Sequence, residues 1–272
     1  MRNRSRNPFA TVTTAGLLLP VDLLARVVEG DPDLPGLTPR DYHLHGGERL
    51  NEAASRAWNQ CQAAWKAFRK RFADLPASDT GTTVTRDEWL LPLFQELGYG
   101  RLQTKPAIKF EEKDYPVSHG WENHVPIHLL SARYPLDRRT PGVAGAAARS
   151  PYSMMQELLN RSAQHRWGFV SNGLKLFVLR DNAALARAAN VEFDLEAMMD
   201  GEIYADFMLL FLLGHQSRVE ILPTAAFASG RGSRGKRGKS TAADEADDQQ
   251  AKQPEAEEHS GPENCWLEKW SH

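Results

Sequence analysis

Apolar positions along the chain fall into blocks whose spacing predicts the elements. The segment "HRWGFVSNGLKLFVLRD", His165 to Asp181, holds two short runs of strand-forming residues. Trp167, Phe169, Leu174, Leu176 and Val178 supply the bulk, and Asn172-Gly173 between the runs predicts a hairpin through a type I′ turn. From Glu48 to Phe72, Leu50, Ala54, Ala57, Cys61, Trp65, Phe68 and Phe72 recur at helical spacing, which predicts an amphipathic helix. A shorter helix is expected from Pro20 to Val28, closing near Gly30. Another begins where Thr85 and Glu88 form a capping box, with Trp89, Leu90, Leu93, Phe94 and Leu97 as its buried stripe and Gly98 as its stop. Strands are expected around Ala107–His119 and Val125–Leu136. Ser150-Pro151 then opens a helix reaching toward Gln164. The strand "NVEFDL" and a helix from about Glu202 to Leu213 follow.

Beyond Arg218 the pattern stops. A basic block, Arg231 to Lys239, gives way to an acidic, Gln-rich stretch with almost nothing to bury, so residues 230–262 are expected to lack stable structure. The basic block is expected to act as a flexible linker rather than as a nucleic-acid contact. "CWLEKWSH" restores apolar and aromatic character and reads as the start of a further domain. The expected layout is thus a helical region over 1–82, an α/β domain over 83–222, a charged linker over 223–262 and the opening of another unit over 263–272.

Composition changes this picture little. Over 272 residues the formal net charge is −2, with 41% hydrophobic and 25% charged residues, so no global pull toward nucleic acid or a membrane is implied. Cys61 and Cys265 lie far apart and suggest neither a disulfide framework nor a zinc site. Pro20 and Asp22 interrupt the N-terminal apolar run, and "FMLLFLLG" is too short to span a bilayer. A soluble cytoplasmic chain is expected.

Several motifs that would point to a particular enzyme chemistry do not occur. "GRGSRGKRGKS" ends in Gly-Lys-Ser but lacks the strand and helix that flank a phosphate-binding loop, and neither Gly-x-Ser-x-Gly nor His-Glu-x-x-His occurs. His43 and His45 form the one close histidine pair, without nearby Cys or carboxylate partners for a metal. His119 and His128 fall on expected strands and read as sheet residues.

The order of elements says more. A helix with the acid Glu96, two or three strands, a helix carrying Gln156, and an aromatic strand ending in "SNG" (Ser171–Gly173) resemble the PD-(D/E)XK nuclease layout. The expected fold is therefore mixed α/β: a PD-(D/E)XK nuclease-like sheet flanked by helices and preceded by an amphipathic helical segment. The segments "VPIHLLSARYPLDRRTPGVAG", "SPYSMMQELLNRSAQHRWGFVSNGLKLFVLRDNAAL" and "VEFDLEAMMDGEIYADFMLLFLLGHQSR" extend the likeness, and so does "PENCWLEKWS". Together they resemble the amino-terminal nuclease-like region of large adenine-specific DNA methyltransferases of restriction–modification and phage-defence systems, the PglX-like and DISARM-type methylases among them. The S-adenosylmethionine loop and the Asn/Asp-Pro-Pro-Tyr/Phe motif of that family do not occur in the sequence, so that cofactor is expected only in a downstream domain.

Three readings follow from the resemblance. The first is a non-catalytic module facing double-stranded DNA through Arg133, Arg138, Arg139, Gln156, Arg161, Lys175 and Arg180. The second is an endonuclease using Glu96, Asp114 and Asp137 around a magnesium ion. The third is a scaffold that docks a methylase subunit or other defence-system proteins without touching DNA. The layout expects an acid on one strand and Glu-x-Lys on the next. Here Arg133 stands near the lysine position, but Ser131 stands where the carboxylate belongs, and Glu111, Glu112 and Asp137 offer ligands only from displaced positions. No cleavage by this chain is therefore expected.

Overall fold

The computed structural model describes residues 7–16, 18–181, 189–223 and 261–272. The expected unstructured stretch and its basic block fall almost wholly outside the described residues.

A strand, β1 (Val12–Ala15), precedes helix α1 (Val21–Glu29), which ends on Gly30 in the left-handed region at φ 66°. Helix α2 (Leu50–Ala73) carries the long amphipathic stripe and buries Ala54, Ala57, Cys61, Trp65 and Phe68. A helical stretch then runs from 82 to 99 as α3 (Thr82–Thr85), a π-helical segment (Arg86–Leu90), α4 (Leu91–Phe94) and a second π segment (Gln95–Tyr99). Pro92 accounts for the widening ahead of it, because proline offers no N–H and crowds the carbonyl one turn back. The capping box expected at Thr85 is not formed. The helix starts earlier, after Gly81 at φ 68°, and Thr85 sits inside it, donating its hydroxyl to the Gly81 carbonyl at 2.8 Å.

The sequence 103–129 folds as β2 (Gln103–Thr104), a β3/β4 hairpin (Ile108–Phe110 and Lys113–Tyr115), β5 (His119–Trp121) and β6 (Val125–Leu129). The single strand expected over Ala107–His119 is thus broken, by a turn at Glu111 (φ 53°) and again ahead of β5, where Pro116 cannot donate to a ladder. The strand expected to reach Leu136 ends at Leu129, where Tyr134 N–H turns back onto the Ser131 carbonyl at 3.0 Å. Helix α5 (Pro151–Arg161) stops short of Gln164 at Ser162. The hairpin β7 (Trp167–Ser171) and β8 (Lys175–Arg180), then β9 (Asn190–Asp194), α6 (Leu195–Asp200), α7 (Tyr204–Gly214) and α8 (Trp266–Trp270) complete the order.

Seven strands form one sheet in the order β1-β9-β8-β7-β6-β5-β2. Every pair is antiparallel except β6 and β7, which α5 joins as a parallel crossover. Alternation along the strands sends Phe169, Leu176 and Val178 into one core and Val170 and Leu179 into another. The first core receives α1, α2, the 82–99 stretch and α7. The second receives α5 and the β3/β4 hairpin. The molecule is a mixed α/β structure, a mostly antiparallel sheet covered by helices on both faces.

The larger core draws on Val12, Leu24, Cys61, Trp65, Phe169 and Leu267 together. The expected division near residue 82 therefore runs through a shared core, and α8 packs into that core. Cys61 and Cys265 are both free and buried.

Candidate nucleic-acid interface

Helix α5 presents the polar surface closest to the one expected. Its N-cap is Ser150, whose hydroxyl accepts Ser153 N–H at 3.1 Å, with Pro151 at the first helical position. Met154, Met155, Leu158 and Leu159 anchor its inner face. The outer face carries Tyr152, Ser153, Gln156, Glu157, Asn160 and Arg161, which line a shallow groove of about 450 Å³. A second cavity of about 470 Å³ lies between α5, β4 and the loop 144–149, and shares Glu157 with the first. Glu112, Asp114 and Arg149 also line it.

Glu157 organises the charge here. Its side chain is 16% exposed and draws three cations: Lys113 at 2.7 Å, Arg161 at 3.4 Å, and Arg149 in direct contact. Arg161 also reaches Glu111 at 2.7 Å. Gln156 Nε2 donates to the Arg180 carbonyl at 2.8 Å and to Asn160 Oδ1 at 3.0 Å. Its Oε1 is buried with no partner among the described residues.

Three of the other expected DNA contacts are held within the chain. Arg180 binds Glu268 at 2.5 Å and lies beside Asp181 at 3.5 Å. Lys175 pairs with Glu192 at 2.5 Å, and that bond raises the ammonium pKa above its ordinary value. Arg133 donates to the carbonyls of Pro76 at 3.2 Å and Ala77 at 3.3 Å, above the Phe72 ring. Arg138 and Arg139 stand exposed on the loop after β6, with Arg138 4.0 Å from Asp137. Of the seven, Gln156 and Arg161 share the α5 groove.

The three candidate acids do not converge. Glu96 lies half-buried in the second π segment, where burial pushes its carboxyl up against the opposing pull of Arg56. Asp114 sits on the β3/β4 hairpin opposite Lys109, and Asp137 is exposed on a separate loop. Among the described residues no group of three or more His, Cys, Asp or Glu side chains is arranged to hold a metal. His43 pairs with Glu220 at 2.6 Å instead of with His45.

His119 and His128 are sheet residues, as their sequence positions imply. Ser118 serves both, with its hydroxyl 2.8 Å from His119 Nδ1 and its N–H donated to His128 Nδ1 at 3.2 Å. Burial, assisted by the Arg86 guanidinium, lowers the first to about 4 and the second to about 3.

Sequence reasoning missed Lys113, Arg149 and Glu157 as a cluster. Only the spacing of Glu157 and Arg161, one helical turn apart, was readable. Comparisons of the chain with protein-family models, with curated proteins and with solved structures find no match.

Proposed function

We propose that this chain is the DNA-facing module of an adenine-specific DNA methyltransferase of a restriction–modification or phage-defence system, built on a PD-(D/E)XK nuclease-like sheet and without catalysis of its own. The observation that carries this reading is the outer face of α5. Ser153, Gln156 and Asn160 line its groove beside Lys113, Arg149 and Arg161, three cations gathered on Glu157, with Arg161 also on Glu111. Amide side chains next to arginines suit a duplex, where cations meet phosphates and amides meet base edges or sugars. The antiparallel β5–β6 pair followed by α5 and the parallel neighbour β7 supports the nuclease-like part of the proposal. The scatter of Glu96, Asp114 and Asp137 supports the non-catalytic part. Methyl transfer, with its S-adenosylmethionine, belongs to motifs that this sequence does not contain.

Duplex binding followed by fluorescence anisotropy across a salt series tests the reading. Binding should weaken steeply with salt, and R149A/R161A should weaken it at every sequence and lower the salt slope by about 2. Salt-independent binding, no binding, or an unchanged double variant would reject it. Plasmid DNA incubated with the chain and magnesium or manganese should stay intact. Cleavage abolished by D114A or D137A would establish the endonuclease reading in its place.

A further inference from the structure

Helix α8 is held by contacts of a kind that a protein uses for a ligand. Leu222 and Asn264 are hydrogen-bonded through Leu222 N–H at 2.8 Å. The body contacts α8 from two sides. On one side the Glu268 carboxylate, 5% exposed, accepts from Arg180 at 2.5 Å, Arg166 at 2.9 Å and the Trp167 indole N–H at 3.2 Å. On the other, Trp266 and Trp270 meet Arg218.

Arg218 is 0% exposed, and its guanidinium donates to the carbonyls of Gly36 at 2.6 Å and Asp41 at 2.5 Å. Its charge lies 3.9 Å from the Tyr42 ring centre, 5.2 Å from that of Trp270 and 5.7 Å from that of Trp266. Rings thus do the work that a carboxylate does for most buried arginines. Two further features fit the tryptophans individually. Gly36, at φ 88°, leaves a recess in which a Cβ would stand 2.5 Å from the Trp266 ring. The Pro35 carbonyl accepts the Trp270 indole N–H at 2.9 Å.

We propose that this cleft is a peptide-recognition site for a short helix bearing an acid flanked by two tryptophans, Trp-Leu-Glu-x-Trp, with the leucine seated in the larger core, and that residues 261–272 are its ligand, bound in cis. Each ligand residue has its own reader: Arg166, Arg180 and Trp167 for the acid, Gly36 and Arg218 for the first tryptophan, and Arg218 and Pro35 for the second. The intervening chain serves to keep the ligand at high effective concentration. This inference stands apart from the DNA reading.

A site-specific protease sequence inserted between residues 225 and 259 of the full chain tests it. After cutting, the two pieces should co-elute on size exclusion. A labelled synthetic peptide of residues 261–272 in excess should replace the bound piece. The same peptide carrying E268A should compete roughly a hundredfold less well, because it leaves the partly buried Arg166 and Arg180 without the carboxylate they share. Folding of the cut body is common to every arm of the competition. Separation of the pieces on cutting, with or without unfolding, would overturn the proposal. So would co-elution that excess peptide cannot reverse, or equal competition by the E268A peptide.

Discussion

His128 is 1% exposed, and its Nδ1 accepts a backbone N–H from Ser118. An amide can only donate, so Nδ1 keeps its lone pair and the neutral ring carries its proton on Nε2. Burial lowers this histidine to about 3 and His215 likewise to about 3, while His119 is lowered to about 4, all from 6.5. The sign follows from linkage. Between the ordinary and the lowered value the unfolded chain binds protons that the folded chain refuses, so stability rises with pH there. Their contribution is complete above about 6.5 and is lost progressively on acidification toward 3 to 4. The melting temperature should therefore fall steadily from pH 7 to pH 5, and H128Q should make that fall shallower. A melting temperature flat across this range would contradict the assignment. The placement of both histidines on strands was readable from the sequence. The Ser118 contacts were not, because they depend on how β5 and β6 pair.

The hairpin at Asn172-Gly173 shows what a local signal can specify. Pairing of β7 with β8 was legible from the alternating bulky residues, and Ser171 does face Leu176. The type I′ turn does not form. It needs positive φ at both central residues, and of the two only Gly173 has it, at 84°. Asn172 N–H bonds to the Lys175 carbonyl at 3.3 Å. The Asn172 side chain takes over the turn, accepting Leu174 N–H at 3.1 Å and Lys175 N–H at 3.0 Å while donating to the Tyr134 carbonyl at 2.9 Å. Trp89 then closes over it, its indole N–H on the Gly173 carbonyl at 2.7 Å. N172A should cost about 1–3 kcal/mol, since it strands a carbonyl and two amides. G173A should cost about 1–3 kcal/mol, from left-handed strain and a Cβ set 2.9 Å from Thr85 Cγ2. Urea unfolding measures both, and a change within a few tenths of a kcal/mol for N172A would show that the side-chain turn contributes little.

For the molecule as a whole, the Leu222–Asn264 bond holds together two residues that are far apart in the chain. Replacing residues 225–259 with a short Gly/Ser turn should preserve the fold and stabilise it by about 1–2 kcal/mol, because a shorter loop costs less entropy to close. A thermal melt of the shortened chain checks this, and failure to fold would mean that the excised residues contribute contacts. Among the described residues no helix is long and apolar enough to cross a membrane, consistent with the short apolar runs of the sequence.

The sequence by itself determined the type and order of most elements, because apolar spacing, Gly30, Gly98 and Ser150-Pro151 act within a turn or two of chain. Only the tertiary structure decided which charges remain available to a partner. Arg180 and Glu268 lie 88 residues apart in the chain yet 2.5 Å apart in space, and the same folding that joins them withdraws Arg180 from the set expected to face DNA. It also gathers Lys113, Arg149 and Arg161 on Glu157 while leaving Glu96, Asp114 and Asp137 on separate elements. The physical reason is that local patterns fix which face of each element is buried, whereas ion pairing depends on which faces meet, and that is set by the packing of the whole sheet.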